Sequence, residues 1–387
     1  MRIAIDVHSI GGRSGGNETY FRGLLEGLAV VDDRENQYFL YATDPDALME
    51  ANFDREKFRV QPIWPANRYL RIPFVIPRQV RRDDLDVYHA QFLIPPGVRC
   101  RTVTTIFDIA FEHYPEFFPW YQRTWSKRLI RSSAQRADHI ITSSEHSRQD
   151  LIKTYQIDPD RITVTPLAPR DSFYPRPKNE ARKKIAFRYG IASEFVLYVG
   201  RLQGRKNLVR LIDAFAEAHG AGVPHKLVLA GGADSLFEPV MDRVRSRRLS
   251  EQVLLPGYID EEDLPWLYSA ADAFVYPSLY EGFGLPVLEA MACGVPVLTA
   301  TGSALQEVAE GAAVLFDPKN VRSISRALID VLTNENRRSE LAKSGLERSA
   351  QYSYRATARS TVAVYEKVAG LERSCNVSPQ AEYGTCR

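Results

Sequence analysis

Short apolar runs alternate along the chain with longer segments in which apolar positions recur at helical spacing. In the first half the runs are Arg2–Val7, Tyr38–Ala42, Val87–Phe92, Thr102–Ile109, His139–Ser143 and Ile162–Pro166. In the second they are Phe195–Val199, Lys226–Ala230, Val253–Leu255, Ala273–Tyr276, Val295–Thr299 and Ala312–Phe316. Strand-length runs separated by amphipathic helices predict parallel sheets with crossover connections. Each series is long enough for a complete doubly wound sheet, so the expected fold class is α/β, with two Rossmann-like domains facing a cleft. Leu167–Pro177 carries Pro169, Pro175 and Pro177, which suit neither a helix interior nor a central strand, and reads as the linker. The expected organisation is a first domain over 1–170 and a second over 178–352. A last helix near 354–370 is expected to return to the first domain, and 371–387 to form a disordered polar tail.

Composition adds bounds rather than content. A chain of 387 residues exceeds what one hydrophobic core usually supports, which agrees with two domains. With 44% hydrophobic and 25% charged residues it is neither collagen-like, coiled-coil nor disordered in bulk. A net charge of +2 gives no reason to expect a nucleic-acid partner. Cys100, Cys293, Cys375 and Cys386 show no metal-ligand spacing and read as reduced thiols of an intracellular protein. The N-terminal run is a first strand, too short for a signal peptide, and no stretch approaches the ~18 apolar residues of a membrane span. A cytoplasmic protein, at most peripheral at the inner face of a membrane, is expected.

The most informative string is Tyr276-Pro-Ser-Leu-Tyr-Glu-Gly-Phe-Gly-Leu-Pro-Val-Leu-Glu-Ala-Met-Ala-Cys-Gly-Val-Pro-Val. It reads as a strand end, a glycine-bearing turn and a helix with Pro286 near its start. Backbone N–H groups of Gly282, Phe283, Gly284 and Leu285 would face a ligand at the positive end of that helix, which suits a diphosphate. Glu289 would lie one turn in, able to accept ribose hydroxyls. Glu281 in the preceding loop needs a nearby cation, because a buried carboxylate beside phosphates is costly. A satisfied capping network with surface glutamates is the plainer alternative. Cations occur in Val199-Gly-Arg-Leu-Gln-Gly-Arg-Lys-Asn-Leu, where Arg201, Arg205 and Lys206 lie between a strand end and a helix start. Basic residues there are unfavourable unless an anion binds, so Arg201 and Lys206 are assigned to donor phosphates.

These strings resemble the family 4 retaining glycosyltransferases of the two-domain type called GT-B, and the likeness spans nearly the whole chain. Gly257-Tyr258, Leu267-Tyr268-Ser-Ala-Ala-Asp and Asp317-Pro318 also resemble that family's second domain. The resemblance implies that Glu281 contacts the donor sugar, Glu289 holds the ribose, and Arg201 and Lys206 offset the diphosphate charge, with Tyr258 on the donor side. Ser14-Gly15-Gly16-Asn17-Glu18-Thr19 resembles the family's glycine loop, implying that Gly15 and Gly16 close over the donor phosphate. Asp108 matches the family's acid that orients donor or acceptor. Phe107 is a departure: the family carries histidine there, and phenylalanine offers a sugar hydroxyl no side-chain hydrogen bond. His113, six residues on, reads as a surface or packing residue. Another departure is Gln306 where the family has proline; Glu307 beside it reads as a helix-cap or ribose-side group, the cap being the simpler role.

The dinucleotide fingerprint GxGxxG is absent, although Asp44 stands where a ribose-binding acid would sit. Of Asp44-Pro-Asp46, Asp84-Leu-Asp86 and Asp158-Pro-Asp160, the two with proline read as turns, and all three lie in the first half of the chain, away from the expected donor site. No metal or cofactor is expected to be required. Two basic stretches, Arg68 through Arg82 and Trp120 through Arg131, interleave aromatics with arginines. That pattern suits an anionic membrane or a diphospholipid acceptor; a solvated helix face with inward-packed aromatics is the simpler reading. The function implied is transfer from a nucleoside diphosphate sugar, GDP-mannose before UDP-sugars, to a saccharide or lipid-linked saccharide hydroxyl with retained configuration. A GT-B phosphorylase or epimerase is the rival enzyme, and Phe107 suggests a catalytically impaired sugar-nucleotide binder.

Overall fold

Among the described residues of the computed structural model (1–12, 15–33, 35–49, 56–120, 122–232 and 238–371), two all-parallel sheets carry the molecule. The first contains β1 (Arg2–Asp6), β2 (Gln37–Ala42), β3 (Phe58–Pro62), β4 (Val87–Gln91), β5 (Arg101–Thr105), β6 (His139–Thr142) and β7 (Ile162–Val164). Its order is β3-β2-β1-β4-β5-β6-β7, with Ile3 paired to both Tyr38 and Val87. The second contains β8 (Phe195–Val199), β9 (Lys226–Ala230), β10 (Val253–Gly257), β11 (Ala273–Tyr276), β12 (Val297–Ala300) and β13 (Ala313–Phe316). Its order is β10-β9-β8-β11-β12-β13.

The apolar runs form strands because both faces are covered by helices, so side chains such as Ile3, Ile5, Val196 and Leu197 are fully buried. β3 is absent from the apolar runs. Phe58-Arg-Val-Gln-Pro62 is a half-exposed edge strand ending in proline, so it carries no continuous apolar signal. In both sheets the order reverses beside the first strand, at β1/β4 and at β8/β11. Ligands of doubly wound sheets bind beyond the carboxyl ends of strands at such reversals.

The first unit comprises Met1–Ile109, Trp120–Leu167 and the chain from Ser353 onward. Within it the helix Tyr354–Ala369 lies against the helix Gly16–Val30. Two glycines allow the approach: a Cβ at Gly23 would stand 2.2 Å from the Tyr354 ring, and one at Gly27 would stand 2.1 Å from the Tyr354 carbonyl oxygen. His89 on β4 ties the same C-terminal helix to the sheet, through Nδ1 to Tyr365 Oη at 2.6 Å and Nε2 to Thr105 Oγ1 at 2.7 Å. Burial pushes this imidazole down to about 3, so it is neutral and structural.

The second unit comprises Ala110–Pro119 and Ala168–Tyr352. The excursion after β5 therefore belongs to it rather than to the first unit, which the sequence did not indicate. The Tyr114 hydroxyl donates to the Leu279 carbonyl at 3.4 Å, and Phe117 packs so closely on Gly204 that a Cβ there would sit 2.7 Å from the ring. The proline-rich segment after Leu167 also packs on this unit. Phe173 meets Tyr268 edge-on at 6.0 Å, Arg170 pairs with Glu261 at 2.9 Å, and the Arg176 N–H donates to Ser269 Oγ at 3.1 Å. Of the tail expected over 371–387, residues 372–387 with Cys375 and Cys386 lie outside the described residues, as does Ser14 of the glycine loop.

Candidate active site

At the β8/β11 reversal of the second unit, β8 runs into Gly200 and Arg201, then into a single 3-10 turn over Gly204–Lys206. Asn207, at φ +61°, closes that turn and begins the helix Leu208–Gly220. Its side-chain amide donates to the Pro277 carbonyl at 3.1 Å and the Pro318 carbonyl at 2.6 Å, fixing the turn against the loop that leaves β11. The Leu279 N–H donates to the Arg205 carbonyl at 3.0 Å, which locks the two loops together.

Glu281 is delivered by the second loop and is buried. Lys206 Nζ donates to one of its oxygens, and Arg205 Nη1 lies 3.2 Å from the other. Lys206 also donates to Tyr276 Oη at 2.7 Å, with its ammonium 5.0 Å above that ring. Tyr276 in turn stacks on Tyr198 at 5.6 Å. Arg205 donates to the Tyr280 carbonyl as well. Burial would raise the Glu281 carboxyl, but Arg205 and then Lys206 outweigh it and hold the group down at about 2. The three groups together carry one net positive charge, held between aromatic walls where it is poorly screened.

After Glu281 the chain turns through Gly282, Phe283 and Gly284, all buried, into the helix Leu285–Ala292. Gly284 sits at φ +118°, and a Cβ there would approach Leu305 Cδ2 to 2.5 Å, so both conformation and space demand glycine. Pro286 falls within the first turn. Glu289, one turn in, is buried with the Tyr268 hydroxyl donating to it at 3.0 Å. Burial dominates and pushes its carboxyl up to about 7, only partly opposed by Tyr268 and Arg170.

Of the two cations assigned to the donor phosphates, Lys206 lies on Glu281, and Arg205, which was given no role, joins it there. Arg201 is exposed. The available signal was the adjacency of Arg205 to Lys206 on a glycine-led turn. Tyr258, after β10, is 61% exposed. His113 stacks on Tyr280 at 5.5 Å, next to Glu281 in sequence, which fits packing. At the start of the helix that holds Glu307, Ser303 accepts from the Leu305 N–H at 3.4 Å and Gln306 from the Gly302 N–H at 3.3 Å.

In the first unit Gly15, at φ +61°, precedes a helix that begins at Gly16, and both glycines are exposed. Asp108 is half-buried after β5. Phe107 lies in an aromatic cluster, edge-on to Tyr20 at 4.8 Å and to Phe92 at 6.1 Å, where a ring serves packing. Asp44 accepts from the Ala47 N–H at 3.3 Å and so caps a short helix instead of standing free for a ribose. Asp86 and Asp158 likewise accept local or strand-end N–H groups, from Arg2 at 2.8 Å and Asp160 at 3.0 Å. No group of three or more His, Cys, Asp or Glu arranged to hold a metal occurs among the described residues.

The inward packing of aromatics in the two basic stretches is overturned. Tyr69 is 70% exposed, Phe74 68%, Trp120 71% and Trp125 64%, while Arg71 is only 5% exposed. Each stretch contains a π-helical turn, Arg71–Val75 and Gln122–Ser126, whose extra residue breaks the 3.6-residue periodicity assumed for it. Arg71 thereby faces a cavity of about 520 Å³ beyond β1, β2 and β4, also lined by His8, Ser9, Asn17 and Gln91. Arg71 and Asn17 fall in strings the sequence linked to binding, the Arg68–Arg82 stretch and the glycine loop, whereas His8, Ser9 and Gln91 were not singled out.

Two parallel α/β units with an anion-adapted helix entrance at a sheet reversal define a nucleotide-sugar type of architecture, that of the GT-B glycosyltransferases. Family models for Glycosyltransferase Family 4 and for Glycosyl transferases group 1 match residues 14–168 and 181–348. The chain is 32% identical over 282 residues to O-antigen chain mannosyltransferase B of Escherichia coli, covering 72% of this chain and 74% of that one. It therefore belongs to glycosyltransferase family 4 and is a glycosyltransferase. It spans about a quarter of the length of the E. coli serotype-specific mannosyltransferase WbdA, which it also matches over 28% of that protein. Among solved structures, sucrose-phosphate synthase of Thermosynechococcus elongatus superposes with a TM-score of 0.77 at 24% identity, over 96% of this chain and 100% of that one. Anabaena Alr3699/HepE in complex with UDP-glucose superposes with a TM-score of 0.72 at 19% identity, over 96% and 100%.

Proposed function

We propose that this glycosyltransferase moves a sugar from a nucleoside diphosphate donor, GDP-mannose before UDP-sugars, to a saccharide hydroxyl during polysaccharide or glycolipid synthesis, with configuration retained. The observation that carries the donor site is the convergence of Arg205 and Lys206 on Glu281, just ahead of the glycine turn into the helix Leu285–Ala292. An E. coli relative named as an O-antigen mannosyltransferase supports the mannosyl choice, and the UDP-glucose complex of Anabaena HepE supports a sugar nucleotide as donor.

In this reading the diphosphate adds its negative charge to the Arg205–Lys206–Glu281 cluster, and the helix entrance contributes its amide dipoles. Arg201 is assigned to the diphosphate and Tyr258 to the donor side, and Glu289 accepts the ribose hydroxyls. The C1–O bond to the leaving phosphate breaks as the acceptor oxygen bonds to C1 on the same face. The acceptor proton passes to the departing phosphate oxygen, and Glu281 stabilises the positively charged sugar centre. Gly15, Gly16 and Asp108 are assigned to the donor phosphate and to orientation of the reactants. The cations take the role a metal would fill, so no metal or further cofactor is required.

The exposed Tyr69, Phe74, Trp120 and Trp125, each within a stretch of arginines, support an acceptor carried on lipid and peripheral contact with an anionic membrane from the cytoplasmic side. Among the described residues no helix is long and apolar enough to cross a membrane.

A thermal-shift series with GDP-, UDP-, ADP- and dTDP-sugars tests the reading. A ligand at 100 times its Kd stabilises by about 2.7 kcal/mol, a shift of several degrees. GDP-mannose is expected to give the largest shift, unchanged by EDTA. No shift with any sugar nucleotide overturns the proposal, and loss of the shift in EDTA overturns its metal-free form.

A further inference from the structure

We propose that the cavity beyond β1, β2 and β4 of the first unit is an anion-binding acceptor subsite, which takes a phosphate or carboxylate borne by the saccharide. This deepens the transferase reading and rests on it for the word acceptor; the anion site itself stands on the first unit alone.

The cavity of about 520 Å³ opens at the β1/β4 reversal, where a doubly wound sheet presents its ligand crevice. Three polar atoms buried around it have no hydrogen-bond partner: Arg71 Nε, Gln91 Oε1 and Ser9 Oγ. Their residues are 5%, 7% and 2% exposed, so bulk water does not supply the missing bonds. Buried polar groups are normally satisfied, and three orphans on one cavity mark a site completed by something else.

Charge decides what that something is. Among the described residues that line the cavity Asp6 is the sole carboxylate, and it is already engaged: His8 Nδ1 lies 2.8 Å from Oδ1, and the Tyr88 hydroxyl donates to Oδ2 at 3.4 Å. Arg71 lies near enough to help stabilise the Asp6 charge but makes no ion pair with it. Arg68, on the rim, is held through Tyr69, donating to its hydroxyl at 3.0 Å with the guanidinium 4.9 Å above the ring. Two guanidinium groups therefore face one carboxylate. A neutral sugar would satisfy Gln91 and Ser9 yet leave the guanidinium excess in place. A saccharide bearing a phosphate or carboxylate corrects both deficits: a hydroxyl donates to Gln91 Oε1, while the anion accepts from Arg71 Nε, whose planar guanidinium matches its geometry.

The test uses the full chain saturated with GDP, so that the donor site is filled, and calorimetric titration with mannose 6-phosphate against mannose and glucuronate against glucose. At least one charged sugar is expected to bind tenfold or more tightly than its neutral parent, and which one does so distinguishes phosphate from carboxylate. R71M is expected to abolish the preference and R71K to keep part of it. R68A, an exposed position that leaves the fold intact, is expected to reduce it severalfold and carries the test if R71M does not fold. Equal binding of charged and neutral sugars overturns the proposal, as does a preference that survives in the arginine variants. If GDP itself fails to bind while the charge preference persists, the donor assignment falls and the anion site stands.

Discussion

The two sheet reversals place charge at the same topological position by different means. At β8/β11 the groups are matched within the protein: Glu281 with Arg205 and Lys206, and Glu289 with Tyr268. At β1/β4 the groups are left unmatched, with Arg71, Gln91 and Ser9 each presenting an orphaned atom. The matched site comes from two contiguous strings, each a strand end, a turn and a helix start. The unmatched one is assembled from the ends of three strands and a π-helical turn. One rule of sheet topology thus supports a site written locally and a site written only by tertiary structure. An internally paired site holds its shape without ligand, whereas an unpaired one gains its missing bonds from the ligand.

The sharpest way to break this contrast is at Glu281. E281Q keeps the shape and removes the charge, and turnover should fall about 10³-fold, as when one electrostatic stabiliser of a transition state is lost. GDP affinity should hold or improve, because the two cations lose their internal anion. Steady-state kinetics and calorimetry on the same preparation check this, and near-normal turnover would remove Glu281 from the site. The variant also tests the pairing: with the Glu281 carboxyl held at about 2, its stabilising contribution is complete above the usual 4.5 and is lost as pH falls toward 2. E281Q should therefore show a smaller stability loss on acidification than the native protein.

Glu289 gives the opposite sign and a smaller effect. With the carboxyl raised from 4.5 to about 7, the folded state keeps a proton that the unfolded chain releases. Stability from this group is complete below 4.5, declines as pH rises, and is lost above 7, a span of about 3 kcal/mol at 1.36 kcal/mol per pH unit. Urea unfolding at pH 5 and pH 8 should show E289Q gaining on the native protein by roughly 2–3 kcal/mol over that interval. Since ribose hydroxyls donate to the ionised form, donor affinity should rise through pH 7 in the native protein and stay flat in E289Q. Parallel pH profiles for the two proteins would contradict the assignment.

Much of the second unit's site was legible in the sequence because its chemistry lies in unbroken strings. Gly284 is required by its φ and by Leu305, and Glu289 lies one turn beyond it, so spacing alone carries the geometry. The pairing of Arg205 with Glu281 was not legible, since it depends on the Gly204–Lys206 turn and its Asn207 closure. The parallel sheets were legible from buried apolar runs, but β3 was not, because a half-exposed edge strand ending in Pro62 lacks that signal. The first unit's cavity was legible only through Arg68 and Arg71, which fall in a basic stretch suited to an anionic membrane or a diphospholipid acceptor. Ser9, Arg71 and Gln91 come from separate segments, and the π-helical turn at Arg71–Val75 reverses the faces a 3.6-residue period assigns. The joining of Ala110–Pro119 to the second unit rests on contacts such as Tyr114 with Leu279, which no local pattern announces.

The central claim is that the Arg205–Lys206 pair beside Glu281 receives the donor's diphosphate. Calorimetric titration of GDP-mannose into the native protein and into K206A tests it most directly. Saturable binding by the native protein, weakened tenfold or more in K206A, is the predicted result. Equal affinity in the two proteins, or no binding of any sugar nucleotide by either, would contradict it.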